Sequence, residues 1–280
     1  MKRKNSWIGL LYILPSFLGI ALFYLYPFIT SLKYSFTKGV FDDTFVAFDN
    51  YIRVLNSEAF QLAIKNTVKF YVITFPLIMI ISLFFAVLVS QYFKGNTLFK
   101  KIFVLPLVIP TASLVLFIGI LFGDGGILGS ILNSETNYID SPYAFAILVL
   151  LFLFKYTGYN VILYISGICE IDPRFYEEAR ICGASKFQEF RYITEPLLRP
   201  TSFLVFIFTM INSFHIYREA YYIGGEYPHE SIYMIQHYLR NNYSSLSYQR
   251  LSAASVILFL GIMAVLLAIY LIQRRREKRK

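Results

Sequence analysis

Apolar residues in this chain come in long unbroken blocks separated by polar stretches. Residues 7–32, 70–93, 102–123 and 251–273 carry no charge. Residues 143–169 carry one, Lys155. Residues 201–217 form the shortest block and extend toward Tyr222. A helix that crosses a bilayer needs roughly 20 mostly apolar residues. Backbone amides in lipid must be paired within the segment, so these six blocks predict helices. The ten-residue alternation of a membrane barrel is absent. The pattern therefore predicts an all-α integral membrane protein of six transmembrane helices. Pro15, Pro27, Pro76, Pro106 and Pro110 fall inside the blocks and predict kinks there.

Composition agrees with this reading. Hydrophobic residues make up 57% and charged residues 15%, against about a quarter charged in soluble domains. The net charge of +9 raises the question of nucleic acid, but its placement answers otherwise. Lys2, Arg3 and Lys4 precede span one, and Lys94, Lys100 and Lys101 lie between spans two and three. Arg174, Arg180, Lys186, Arg191 and Arg199 lie between spans four and five, and RRREKRK follows span six. Basic residues are retained on the cytoplasmic side, so both termini are expected there. The N-terminal apolar block is too long for a cleaved signal and lacks a small-x-small cleavage site. Cys169 and Cys182 fall on the reducing side, which argues against a structural disulfide. No cysteine or histidine spacing points to a metal. Asn242-Tyr243-Ser244 matches a glycosylation sequon, a weak signal by itself.

The expected outer loops are 33–69, 124–142 and 218–250. In the first, Tyr51, Val54 and Leu55 recur at helical spacing and predict a short surface helix leading into span two. The other two, with GDGGILGS and YIGGEYPHE, read as turn-rich. The cytoplasmic stretch 172–196 stands apart: charged, amphipathic and broken by one glycine. Asp172 caps a helix and Pro173 occupies its first position. Phe175, Ala179 and Cys182 give that helix a small apolar face. Gly183 ends it with a positive φ. Ser185 and Gln188 form a capping box for a second helix, with Phe187, Phe190 and Ile193 on one side, and Pro196 and Pro200 close the unit. Such a solvent-facing knuckle either lies on the lipid interface or docks on a protein.

Its spacing resembles the EAA loop of permease subunits of ATP-binding-cassette importers, with their MetI-like transmembrane domain. The pattern is Glu-Ala-Ala, three residues, Gly, nine residues, Ile-x-Leu-Pro. Here it reads Glu177-Glu178-Ala179, then Gly183, then Ile193-Thr194-Glu195-Pro196. Glu178 stands for Ala, Glu195 for Leu, and Cys182 where sugar permeases commonly carry Asp. The likeness continues in ILPSFLGIALFYLYPFITSLKYSF, in FVAFDNYIRVLNSEAFQLAIKNTVKF with its Asn-Tyr and Asn-Thr pairs, in FKKIFVLPLVIPTASLVLFIGILF, and in YYIGG at Tyr221–Gly225. These segments are similar to permeases of the maltose, lactose and glycerol-phosphate systems. The resemblance implies that Glu177, Glu178, Ala179, Gly183, Ala184, Phe187, Ile193 and Pro196 couple the chain to an ATPase. It implies a heterodimer with a second permease, two ATPase subunits and an extracellular solute-binding protein, moving a carbohydrate. ATP and Mg would belong to the partner ATPase. This chain has no GxxxxGK[ST] phosphate loop, is expected to bind no cofactor, and reads as a non-catalytic subunit.

Polar groups inside spans are candidates for a substrate path, because lipid exposure is costly for them. Span four offers Lys155, Tyr156, Tyr159 and Asn160, and span five offers Asn212, Ser213 and His215; of these Tyr156, Tyr159, Asn160, Asn212 and His215 are the candidates. Rings and amides suit sugar hydroxyls. The plainer alternatives are packing aromatics, a helix-bridging Asn212 and a His215 that serves a neighbour. Lys155 reads as pairing with an acid, and Arg218 with Glu219 as a surface pair. A stand-alone secondary carrier would need acids in the membrane core, and none lies inside the six blocks as drawn, with Glu219 just beyond the fifth. A membrane enzyme would need a cluster of histidines or carboxylates, and His215, His229 and His237 form none in sequence.

Overall fold

The structure is a computed structural model that describes residues 6–40, 42–92 and 97–277. Lys2, Arg3, Lys4, Lys94, the end of span two at residue 93 and the last three residues lie outside that description. Among the described residues six helices are long and apolar enough to cross a membrane: Tyr12–Ser35, Glu58–Ser90, Thr111–Leu132, Ala144–Cys169, Arg199–Gly224 and Tyr248–Leu271. The chain divides into two compact units, Met1–Gln61 with Tyr238–Lys280, and Leu62–His237.

In the first unit, α1 (Ser6–Ile20) passes through a π-helical turn (Ala21–Leu25) into α2 (Tyr26–Ser35). The wide turn has a cause. Pro27 has no N–H to donate, and its ring would press on the carbonyl one turn back. Instead the Tyr26 amide reaches back five residues to the Ala21 carbonyl, which opens the helix ahead of the proline. The short helix α3 (Asp49–Leu55) follows the loop. Its Asn50 side chain donates to the Ser35 and Thr37 carbonyls (3.1 and 2.9 Å), and the Tyr51 and Ser35 hydroxyls bond at 2.7 Å. The Asn-Tyr pair thus ties the end of span one to α3. Val54 is buried, but Leu55 is half exposed, so the buried face is narrower than the spacing suggested. The α2 helix also packs on the last helix of the chain, through the Ser31 and Ser252 hydroxyls (3.2 Å) and the Phe28 and Phe259 rings (5.2 Å).

The second unit holds most of the core. Helix α4 (Glu58–Tyr92) starts twelve residues before the expected block, because its first turns are amphipathic rather than apolar. Span three is interrupted: α5 (Thr97–Val108) and α6 (Thr111–Phe122) meet at a break over Ile109 and Pro110. Pro110 has φ −57° and ψ 134°, and the residue before a proline is pushed out of helical geometry. Residues 102–123 are therefore two helices and not one kinked span. The loop after it contains α7 (Ile127–Leu132), a helix that the glycine pattern hid. Helix α8 (Ala144–Cys169) is the central element, with Leu148, Phe152, Val161 and Tyr164 fully covered. Against it, α5 approaches so closely that a Cβ on Gly158 would lie 1.6 Å from the Phe103 carbonyl oxygen.

After α8 come α9 (Pro173–Ile181) and α10 (Lys186–Glu189), then a π-helical turn (Phe190–Thr194) and α11 (Glu195–Leu197). Span five is α12 (Arg199–His215) and α13 (Tyr217–Gly224), separated at Ile216. The segment 218–250, expected as the last outer loop, is helical as well as turning, with α14 (Ile235–Ser244), and α15 (Tyr248–Glu277) follows it. The Asn-Thr pair of α4 fastens this loop. Asn66 donates to the Glu230 and Tyr233 carbonyls (2.6 and 3.0 Å), and the Ile235 amide donates to the Thr67 hydroxyl (3.0 Å). Asn242 of the sequon is buried, and its amide donates to the Tyr238 carbonyl (2.8 Å), so it presents no accessible acceptor nitrogen.

Candidate functional site: a capped knuckle and a buried polar centre

The knuckle forms as its sequence prescribes at three points. The Asp172 carboxylate accepts from the Arg174 amide (3.0 Å) and caps α9. Gly183 has φ +80°, a conformation that costs a side chain about 1–2 kcal/mol. Ser185 accepts from the Gln188 amide (3.3 Å) while Gln188 Oε1 accepts from the Ser185 amide (2.7 Å), a complete capping box. The two helices are then locked by ions the spacing did not reveal. Arg180 of α9 donates to Glu189 of α10 through Nε (2.8 Å) and a terminal nitrogen (3.3 Å). The Glu189 side chain is only 6% exposed. The Arg180 guanidinium holds its carboxyl below the usual carboxylate range, with Lys186 assisting. Tyr176 and Thr194 join the helices again at 2.9 Å.

Two sequence readings fail here. Phe187, Phe190 and Ile193 do not share a face. Phe187 is 74% exposed, whereas Ile193 packs against the core of Val161, Tyr164 and Leu198. The π-helical turn over 190–194 rotates the register between them. Pro196 and Pro200 do not close the unit either. As at Pro27, the wide turn lets the Glu195 amide reach the Phe190 carbonyl; α11 runs past Pro196 to a turn at Leu198, and α12 begins at Arg199 with Pro200 in its first turn. Glu195, which replaces the leucine of the pattern, is held within this helix by Arg191 (3.2 Å) and Arg199 (3.3 Å).

The outward surface of the knuckle is apolar as well as charged. Phe175, Ile181, Phe187 and Tyr192 are all more than half exposed, and Ile181 and Tyr192 carried no sequence signal. Glu177 and Glu178 are exposed, while Ala179, Ala184 and Pro196 are half-buried. A groove of about 270 Å³ runs between the helices, lined by Ala179, Cys182, Gly183, Ala184, Gln188 and Tyr192 among others. Cys169 and Cys182 are free and exposed.

The five path residues fall into separate settings. Tyr156 is 3% exposed and belongs to the core with Phe152, ring to ring at 5.0 Å. Tyr159 meets Phe208 edge-on at 5.8 Å. Asn160 bridges to span five through the Thr209 hydroxyl (2.9 Å), and its Oδ1 is buried with no partner among the described residues. Asn212 is half-buried and His215 exposed. A larger apolar groove, about 1040 Å³, lies among α6, α7 and α13, and none of the five lines it.

One acid enters a span after all. Glu219 is fully buried within Arg199–Gly224 and does not form a surface pair with Arg218. It pairs with Lys155 of α8 at 2.5 Å, so Lys155 does meet an acid. Thr111, the first residue of α6, completes the cluster at 3.1 Å from Lys155 and 3.3 Å from Glu219. The absence of acids in the blocks as drawn therefore no longer argues against a carrier. What argues against one is that this acid is already committed to a lysine.

Six apolar helices, a central span tied to its neighbours by buried polar groups and a rigid polar knuckle define a multi-pass membrane transport subunit. The chain matches the family "Binding-protein-dependent transport system inner membrane component" over residues 78–279, and it belongs to that family. It is 28% identical over 273 residues to the trehalose/maltose transport system permease protein MalF of Thermococcus litoralis, covering 94% of this chain and 92% of that one. It is 26% identical over 230 residues to the lactose transport system permease protein LacF of Rhizobium radiobacter, covering 79% and 77%. Its fold superposes on a chain of a bacterial transporter that imports the acidic polysaccharide alginate, with a TM-score of 0.82, 20% identity, and coverage of 97% and 96%.

Proposed function

We propose that this chain is one of two membrane subunits of a carbohydrate importer, driven by two separate ATPase subunits and supplied by an extracellular solute-binding protein. The observation that carries this reading is the knuckle. Here Phe175, Ile181, Phe187 and Tyr192 stand exposed on a helix pair made stiff by two caps and the Arg180–Glu189 ion pair. A stiff lever with an apolar surface flanked by charges of both signs suits transmission of force from a soluble partner. Glu177, Glu178, Ala179, Gly183, Ala184, Phe187, Ile193 and Pro196 form the coupling element, with both termini on the same cytoplasmic side. ATP and Mg are used by the partner.

The carbohydrate assignment follows the relatives, whose names include trehalose, maltose and lactose. A related solved complex holds a pentasaccharide on its periplasmic protein. Tyr159, Asn160, Asn212 and His215 are the path residues that remain after Tyr156 is assigned to packing. The test is copurification of the tagged chain from native membranes, followed by mass spectrometry. A second permease and an ATPase are expected with the parent. Gly183→Asp and Glu177→Arg should lose the ATPase and keep the permease. A chain that purifies alone contradicts the proposal.

A further inference from the structure

Helix α3 meets three different environments around its circumference. Side chains three and four positions apart share one face of a helix. Asn50 and Val54 make the first face and are buried. Asp49 and Arg53 make the second, with Asn56 just past the helix end, and all three are exposed. Phe48, Ile52 and Leu55 make the third, an apolar stripe in which each side chain is more than half exposed. Phe45, ahead of the helix, is more exposed still.

The position of this stripe is fixed by the end of span one. Besides the bonds that Asn50 and Tyr51 make to Ser35 and Thr37, the intervening chain is a hairpin. The Lys38 amide donates to the Thr44 carbonyl (3.0 Å) and the Val46 amide to the Phe36 carbonyl (2.9 Å). Phe36 directly follows the span, and its ring meets those of Tyr51 (5.2 Å), Phe48 (5.8 Å) and Phe45 (6.1 Å). Helix α3 also packs on α15. Span one has 24 residues, and at about 1.5 Å per residue it is about 36 Å long. That exceeds the roughly 30 Å hydrocarbon core and falls short of the roughly 40–45 Å that includes both headgroup layers. Its end at Ser35, and the rings packed there, therefore lie in the interfacial layer. Leu25, Ile29 and Leu32 are exposed along its last turns, so the apolar surface of the span runs up to the stripe. The exposed charges of the hairpin, Lys38, Asp42 and Asp43, keep that segment out of hydrocarbon.

We infer that Phe45, Phe48, Ile52 and Leu55 seat α3 in the phospholipid of the leaflet where span one ends. A helix at the line where protein, lipid and water meet needs one face for each, and α3 has the three. An interfacial helix sinks its apolar side about 5–10 Å into the boundary between headgroups and acyl chains, a depth that large side chains such as Phe and Leu reach. Asn50, on the buried face, ties the seated helix to the last turn of span one and so sets the depth at which the span leaves the membrane. This seat depends on span one crossing the bilayer, and not on what the chain transports.

The test is site-specific photocrosslinking of the full chain in native membranes, with its partners present. Benzoylphenylalanine is placed singly at Phe48, Ile52 or Arg53, and the adducts are identified by mass spectrometry of the tagged chain. All three positions are exposed, so the added ring displaces no packed side chain. Phospholipid adducts are expected from 48 and from 52, and none from 53. A protein adduct at either 48 or 52 would show that another subunit covers the stripe. No adduct at either would show that it faces water. Lipid captured from 53 as strongly as from 48 and 52 would remove the separate water face. Each of these three results overturns the inference.

Discussion

The Lys155–Glu219 pair offers a sharp test of the physical reading of this bundle. Its side chains are 10% and 0% exposed, and its nitrogen and oxygen lie 2.5 Å apart. Lys155→Met would leave Glu219 with only the Thr111 hydroxyl, and its Oε2 already has no partner among the described residues. Glu219→Met would leave the ammonium with the same single hydroxyl. Removing one partner of a buried pair costs about 3–5 kcal/mol, because the survivor is charged and unpaired. Replacing both by apolar side chains of similar volume is often near neutral. The double variant should therefore recover most of what each single loses. In detergent, thermal unfolding followed by size-exclusion of the fluorescently tagged chain reads the effect. At about 2–4 °C per kcal/mol for a chain of this size, each single should lower the midpoint by roughly 6–20 °C. The double should lie within a few degrees of the parent, by the same conversion. Singles that lose less than about 2 °C, or a double no better than the singles, would refute the claim that the pair is dry and mutually dependent.

Three further outcomes follow from named contacts. Gly158→Ala should fail to assemble or lose more than about 3 kcal/mol, since its methyl would overlap the Phe103 backbone; tagged-chain yield and thermal midpoint report it. Gly183→Ala should raise amide hydrogen exchange across α9 and α10 by roughly 5–30-fold, while Gly183→Asn, which tolerates positive φ, should do less. His237 is neutral when folded down to about pH 4, whereas in the unfolded chain it takes up a proton below about pH 6.5. Its contribution is therefore intact above pH 6.5 and declines as pH falls toward 4, by at most about 3 kcal/mol, and His237→Asn should flatten that slope.

Much of this was legible in the chain because lipid imposes a simple rule: long apolar blocks became helices. The knuckle was readable for a different reason, since caps and a positive-φ glycine act within four residues of themselves. What escaped was set by partners distant in sequence or by helix register. Glu219 reads as a surface residue until α8 supplies Lys155, sixty-four positions away. The π-helical turns ahead of Pro27 and Pro196 shift which side chains share a face, so a regular wheel misplaces Phe187 relative to Ile193. Pro106 and Pro110 were seen, but only packing decides between a kink and a break.

Cys182 gives the most direct measurement of the coupling claim. It is exposed, and it lines the groove between the two helices of the knuckle. With Cys169 changed to Ser, a photoactivatable crosslinker on Cys182 in native membranes should capture the ATPase subunit, and Gly183→Asp should abolish that product. Capture of lipid alone, or of the ATPase equally with and without Gly183, would contradict the assignment of 172–196 as the element that receives force from ATP hydrolysis.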